Sequence, residues 1–101
     1  MSELKRMIDQ VAREKGLDRE ILINTLEEAM RSAARRKLGS KVEVDVAYND
    51  DLGEVEVFEF REVVEQITDP ETQISLKQAH KLDPDCEVGD ELGVKVDTGD
   101  F

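Results

Sequence analysis

Between residues 18 and 38 the chain reads DREILINTLEEAMRSAARRKL, and directly after it the hydrophobic period drops from 3.6 to 2. An amphipathic helix and a half-buried strand each carry one apolar face that water leaves unsatisfied. A chain that passes from one to the other across Gly39-Ser40 must lay the helix on a sheet. Within the helical stretch, Leu22, Leu26, Ala29, Met30 and Ala33 recur at the spacing of one buried face. Asp18 is an N-cap by type, Leu17 is placed to staple onto Leu22, and Gly39 suits a left-handed residue past the end. Asp18, Glu20, Glu27 and Glu28 crowd the first half, and Arg31, Arg35, Arg36 and Lys37 the second, each the right sign for the helix dipole.

The preceding stretch, SELKRMIDQVAREKG, carries Leu4, Met7, Ile8, Val11 and Ala12 on one face, with Ser2 to cap it and Gly16 to end it. It has no apolar run of a signal peptide, and no segment approaches the length of a membrane helix, so the expected location is cytoplasmic. The short link at Leu17-Asp18 predicts two helices packed together or angled across one core.

After Ser40, Val42, Val44, Val46 and Tyr48 alternate with Lys41, Glu43 and Asp45, which predicts a strand with one wet face. A turn over 49–53 leads to EVEVFEF, a second strand that closes an antiparallel hairpin. Its alternation breaks, because Val55 and Val57 share a parity that Phe58 does not. A bulge near Phe58, or cover on both faces, would resolve this. Val63, Val64 and Ile67 predict a short third strand ending before Asp69-Pro70. Ser75 and Gln78 form a capping box for a short helix to about Leu82, and Leu92, Val94 and Val96 a last strand. The expected fold is α+β: two N-terminal amphipathic helices on a small antiparallel or mixed sheet with one further short helix, in the order α-α-β-β-β-α-β. The DTGDF end has the look of a cut within a longer protein.

The formal charge of -11 repels nucleic acid on average, so any contact with it must be local. Residues 1–30 hold 5 basic and 7 acidic groups, residues 31–41 hold 5 and 0, and residues 42–101 hold 4 and 18. The candidate nucleic-acid site is therefore the basic run Arg31, Arg35, Arg36, Lys37 and Lys41. Two readings of it stand side by side: a complement to the helix C-terminus, and a small phosphate-contacting patch on an acidic module. No aromatic interleaves the run, so base stacking is not indicated by the sequence.

Catalytic chemistry has little to work with. His80 and Cys86 are unique and stand in no nucleophile or metal spacing, and the single cysteine excludes an internal disulfide. Asp83, Asp85 and Glu87 lack the glycine and spacing of a calcium loop, and no phosphate-cradling glycine loop exists. The expectation is a non-enzymatic module with no cofactor and no metal.

The segments LDREILINTLEEAMRSAARRK, VEVFEFREVVEQITDPETQISLKQAHKLDPD and VGDELGVKVD, leading toward DTGDF, together resemble the N-terminal domain family of the bacterial transcription termination/antitermination protein NusA. The DP-E-x-x-I-S-L-x-x-A and D-P-D pieces are the most specific, and the resemblance spans nearly all of residues 1–101. It implies a module that docks on RNA polymerase at the RNA exit channel through the flap-tip helix of the β subunit. There the family modulates pausing, hairpin-dependent termination and antitermination, the last with other antitermination factors that join through the full-length protein. It also implies a continuation past Phe101 into a connecting helix, then S1 and KH domains that carry most RNA recognition. Arg35, Arg36 and Lys37 fall where the family has a basic run facing the nascent RNA hairpin; the polymerase-contacting residues follow from no motif. Two rival readings are an acidic protein-interaction module with no nucleic-acid contact, and an acidic nucleic-acid mimic.

Overall fold

The computed structural model describes residues 2–99 and 101; Met1, and Asp100 within the DTGDF end, lie outside the description. Helix α1 runs Glu3–Lys15 and α2 Arg19–Leu38, followed by strands β1 (Glu43–Asn49), β2 (Glu54–Val64) and β3 (Gln73–Ser75), helix α3 (Leu76–Leu82) and strand β4 (Glu91–Lys95). This is the expected α+β order. The caps form as the residue types predict. The Ser2 hydroxyl accepts from Lys5 N–H, Asp18 from Glu20 N–H and Ser75 from Gln78 N–H. Gly16 turns left-handed at φ 64°, and its N–H and that of Leu17 both reach the Ala12 carbonyl. Gly39 differs from expectation: at φ 95° and ψ 160° it leaves α2 extended rather than left-handed helical. Only glycine takes that geometry without strain.

All pairing runs through β2. β1 lies antiparallel to it with Glu43 opposite Phe60 and Asn49 opposite Glu54; β4 lies antiparallel with Phe58 opposite Lys95 and Glu62 opposite Glu91. β3 is parallel, Val63 facing Ile74. Because Glu62 pairs with both β3 and β4, and Phe58 with both β1 and β4, β1 and β3 share one edge of β2 and β4 takes the other. The third strand is thus Gln73–Ser75 and not residues 63–67. Val63 and Val64 simply extend β2, and Ile67 is 46% exposed in the loop beyond it. The β1 register is continuous, so no bulge re-aims Phe58. Both parities of β2 are apolar because the strand uses both faces. Val55, Val57 and Val63 lie under the helices, while Phe58 and Phe60 sit half-buried on a face that no described helix covers.

The covered face holds two separate clusters. Ala34, Val46, Val55 and Val57 gather under α2 with Leu26 and Met30 against them; Val63, Ala79 and Cys86 gather under α3 with Ile74 and Leu92. Between them on the same parity lie Glu59 and Arg61, paired at 2.7 Å, with an Arg61 Nη1–H donated to the Pro70 carbonyl at 2.6 Å. Two small cores strung along one strand give a long molecule, 53 × 27 × 20 Å. Its radius of gyration is 16.4 Å, against about 13 Å for a compact chain of this length.

The helix stripe read from the sequence is only partly core. Ala34 is the buried residue of α2, and Ala29 is exposed. Leu26, Met30 and Ala33 instead line, with Leu4, Val55 and Phe101, an open apolar trough of about 430 Å3. Leu17, expected to staple onto Leu22, is 45% exposed.

Polar contacts clamp α1 and α2 to the hairpin turn. Ser2 Oγ–H donates to the Gly53 carbonyl at 2.6 Å, and Gly53 at φ 67° has no room for a Cβ, which would fall 2.1 Å from Ser2 Oγ. Arg19 bridges Asp9 at 2.8 Å and Asp50 at 2.6 Å, and its guanidinium lies 5.8 Å from the Tyr48 ring centroid. The Asp50 carboxyl is held below the ordinary aspartate range, first by the Arg19 hydrogen bond. On the edge strand, Glu27 accepts the Tyr48 N–H at 2.9 Å, tying α2 to a backbone donor that no strand takes.

Val57 is fully buried and Val11 is 38% exposed. Val57→Ala should therefore lower unfolding free energy by about 2 kcal/mol in urea titrations, and Val11→Ala by under about 0.5 kcal/mol.

Candidate nucleic-acid interface

The basic run sits where the apolar demands of α2 end. Ala34, with no side chain beyond Cβ, lets the helix press against the β1–β2 hairpin. The three residues after it, Arg35, Arg36 and Lys37, are all exposed. None of the three makes an ion pair or a side-chain hydrogen bond among the described residues; Arg6, Arg13, Lys15, Lys77 and Lys81 share that, whereas Lys5, Arg19, Arg31, Lys41, Arg61 and Lys95 are each paired with a carboxylate. They stand at the carbonyl end of α2, whose dipole favours them by about 0.3–1 kcal/mol each at low salt. That contribution asks for positive charge near the helix end. It does not ask for three adjacent cations without partners.

The other two residues of the run behave differently. Arg31 is 24% exposed and paired with Glu28 one turn back, so its charge is largely answered within the helix. Lys41 is separated from the helix by Gly39-Ser40 and pairs with Asp69 at 3.3 Å. It lines a different cleft, beside Glu43, Phe60 and Gln73 in the notch where β1 gives way to β3. Arg36 and Lys37 line one shallow depression, Arg35 is not part of its lining, and Lys41 lies in the other cleft.

Sequence reasoning missed one neighbour of this cluster. Phe101 lines a shallow depression of about 270 Å3 together with Ala33, Arg36 and Lys37. No local signal announces it, since it lies far along the chain in a polar stretch and reaches α2 only through the fold.

The remaining candidates resolve into structural roles. The His80 ring nitrogen Nε2 hydrogen-bonds the Cys86 carbonyl at 3.0 Å, fastening the loop after α3. Burial pushes the Cys86 thiol above its ordinary pKa, and the charges of Asp83, Asp90 and Asp85 add to that, the opposite of what a reactive thiolate needs. Among the described residues no three His, Cys, Asp or Glu side chains gather as a metal site, and no helix is long and apolar enough to cross a membrane. The Tyr48 hydroxyl is buried without a hydrogen-bond partner among the described residues.

Comparison with known proteins follows the same lines. A family model described as the NusA N-terminal domain matches residues 3–101. The transcription termination/antitermination protein NusA of Rickettsia conorii is 40% identical over 90 residues, 89% of this chain and 18% of that protein. The Bacillus subtilis protein of the same name is 33% identical over 100 residues, 99% of this chain and 27% of that protein. The solution structure of the N-terminal domain of NusA from B. subtilis superposes with a TM-score of 0.69 at 32% identity, covering 98% of this chain and 80% of that one. The chain thus spans between 18% and 27% of the length of these two full-length relatives.

The Asp69 carboxyl is held below its ordinary pKa, first by the Glu71 backbone N–H, then by Thr72 and Lys41, against desolvation. A depressed carboxyl stabilises the fold above its unfolded-state pKa of about 4, and that stability is lost as pH falls through the lower folded value. Lys41→Gln should leave most of the depression in place, read by carboxyl-carbon NMR titration. A return to the ordinary range would make Lys41 the dominant partner and revise the account of this corner.

Proposed function

The chain belongs to the NusA N-terminal domain family, and on that premise we propose that it is a non-enzymatic transcription module that docks on RNA polymerase near the RNA exit channel. In this reading it works in the cytoplasm, as one module of a longer factor whose S1 and KH domains take most of the RNA. It modulates pausing, termination and antitermination by steering the nascent RNA. The observation that carries the reading is the charge segregation: three exposed, unpartnered cations at the end of α2 on a chain of net charge -11. An RNA hairpin emerging beside the module meets those cations and is repelled elsewhere, so its folding is favoured where the basic end lies.

Docking on the polymerase calls for an apolar surface that receives the amphipathic flap-tip helix of the β subunit. The uncovered face of β2, with Phe58 and Phe60 set among Glu43, Asp45 and Glu62, supports that role better than the trough does. Thr98 and Phe101 of the same chain already enter the trough, whereas no described helix lies over the sheet face. The carboxylates around the phenylalanines suit a helix with basic flanks.

Two measurements test this. Replacing Arg35, Arg36 and Lys37 with Gln should shorten hairpin-stimulated pauses while polymerase binding persists, and should reduce the slope of log affinity for RNA against log salt by roughly 2–3. Unchanged pause lifetimes overturn the steering mechanism. An NMR titration with a flap-tip fragment should shift Ala47, Phe58, Phe60 and Gly93; shifts confined to Leu26, Met30 and Val55 would move the docking surface to the trough.

A further inference from the structure

The sheet ends in β1 and β3 on one side of β2 and in β4 on the other, and the long edges are finished differently. On β1 the N–H groups of Val46 and Tyr48 point outward, and each is taken by a carboxylate, Asp45 at 3.0 Å and Glu27 at 2.9 Å. On β4 the register decides which groups point out. Val96 N–H donates to the Val57 carbonyl at 2.8 Å and Val63 N–H to the Asp90 carbonyl at 2.9 Å. Leu92 and Val94 therefore bond to β2, and the N–H and C=O groups of Glu91, Gly93 and Lys95 face away from it. All three residues are exposed, and among the described residues no side chain caps their backbone groups. The lysine of β4 does not guard the edge either. A lysine on an edge strand opposes pairing with a further chain, but Lys95 reaches back over β2 to Glu54 at 3.3 Å and Glu56 at 3.0 Å. Gly93 offers no side chain at all. The Phe60 ring fills that space, since a Cβ at Gly93 would lie 3.2 Å from it. The ring thus spans from β2 to β4 and is within reach of a strand laid beside Gly93.

We propose that the outer edge of β4 receives an extended, basic segment of a partner protein as an added strand. The added strand sets an apolar side chain against Phe60 beside Gly93 and lysine or arginine toward both ends of β4. Main-chain hydrogen bonds to Glu91, Gly93 and Lys95 supply affinity, and alternate side chains supply specificity. Charge selects the occupant. At one end of this face Glu91 stands opposite Glu62; at the other, Glu54 and Glu56 outnumber Lys95. A second copy of this chain would bring another net charge of -11 to the same edge, whereas a basic segment is drawn to it. The proposal goes beyond the polymerase-docking reading and does not rest on it, because a helix laid on the sheet face makes no use of the outward backbone groups of β4.

The test is an amide NMR titration of the full chain at low salt with a capped seven-residue peptide in which lysine, leucine and lysine alternate with threonines. The N–H groups of Glu91, Gly93 and Lys95 should shift, and at saturation their solvent exchange should slow by about fivefold or more. Two further versions of the peptide are N-methylated on alternate residues, one on the leucine and lysines, the other on the threonines. An added strand turns only one alternate set toward β4, so one version should lose about tenfold or more in affinity while the other keeps it. Equal behaviour of the two overturns strand addition. A version with glutamate in place of both lysines should bind about fivefold more weakly, and equal binding overturns the choice of a basic partner. Shifts confined to Ala47 and Phe58 would lay the peptide across the sheet face. Protection of the three β4 N–H groups that grows with protein concentration before peptide is added would make a second copy the occupant. Either result overturns the proposal. So does the absence of saturable shifts at millimolar peptide, which leaves the polymerase-docking reading standing.

Discussion

A strand of eleven residues offers backbone donors and acceptors along two edges, and in water an unmatched edge invites pairing with another chain. β2 answers that demand with three partners: β1 and then β3 along one side, β4 along the other. The positions of the helices follow from it. α2 lies over the part of β2 that pairs with β1, and α3, which grows directly out of β3, lies over the far end. β3 has only three residues, and its parallel register suffices to place α3 because the helix begins at the next residue.

The same strand divides the interior. Glu59 and Arg61 occupy the covered face between the two clusters, where a continuous core would have apolar side chains. Arg61 also reaches the Pro70 and Gln73 carbonyls, so its donors are well occupied and the loop between β2 and β3 is anchored to the waist of the molecule. Both side chains keep some contact with water, 25% for Arg61 and 12% for Glu59, so the pair costs less desolvation than a fully buried one. The arrangement trades core volume for length.

Much of this was legible in residues whose effect is local. Ser2, Asp18 and Ser75 cap their helices because a hydroxyl or carboxylate next to free N–H groups has one obvious partner. Alternation located β1 and the hairpin for the same reason. What stayed hidden depends on contacts between distant segments. Gln73–Ser75 is too short to show a period, so the apolar run ending at Ile67 claimed the third strand in its place. The stripe of α2 marks an apolar face but not whether anything covers it, and here much of it borders an open trough. Of the basic run, spacing alone cannot tell that Lys41 faces Asp69 while Arg36 and Lys37 stay free, nor that Phe101 comes to rest beside them.

The clasp between Ser2 and Gly53 closes a loop of about fifty residues around a single buried side chain of α1, Ile8. Much of what holds α1 otherwise is solvent-accessible: Lys5 and Arg19 on Asp50, and Arg19 on Asp9. A helix held this way should open as a separate unit, at less free energy than unfolding the sheet needs. When it lifts, Leu4 leaves the trough and the apolar side of α2 is bared while the β1–β2 hairpin stays intact. Amide exchange in α1 should therefore be faster than in the sheet, and the first helix should set how wide the trough opens.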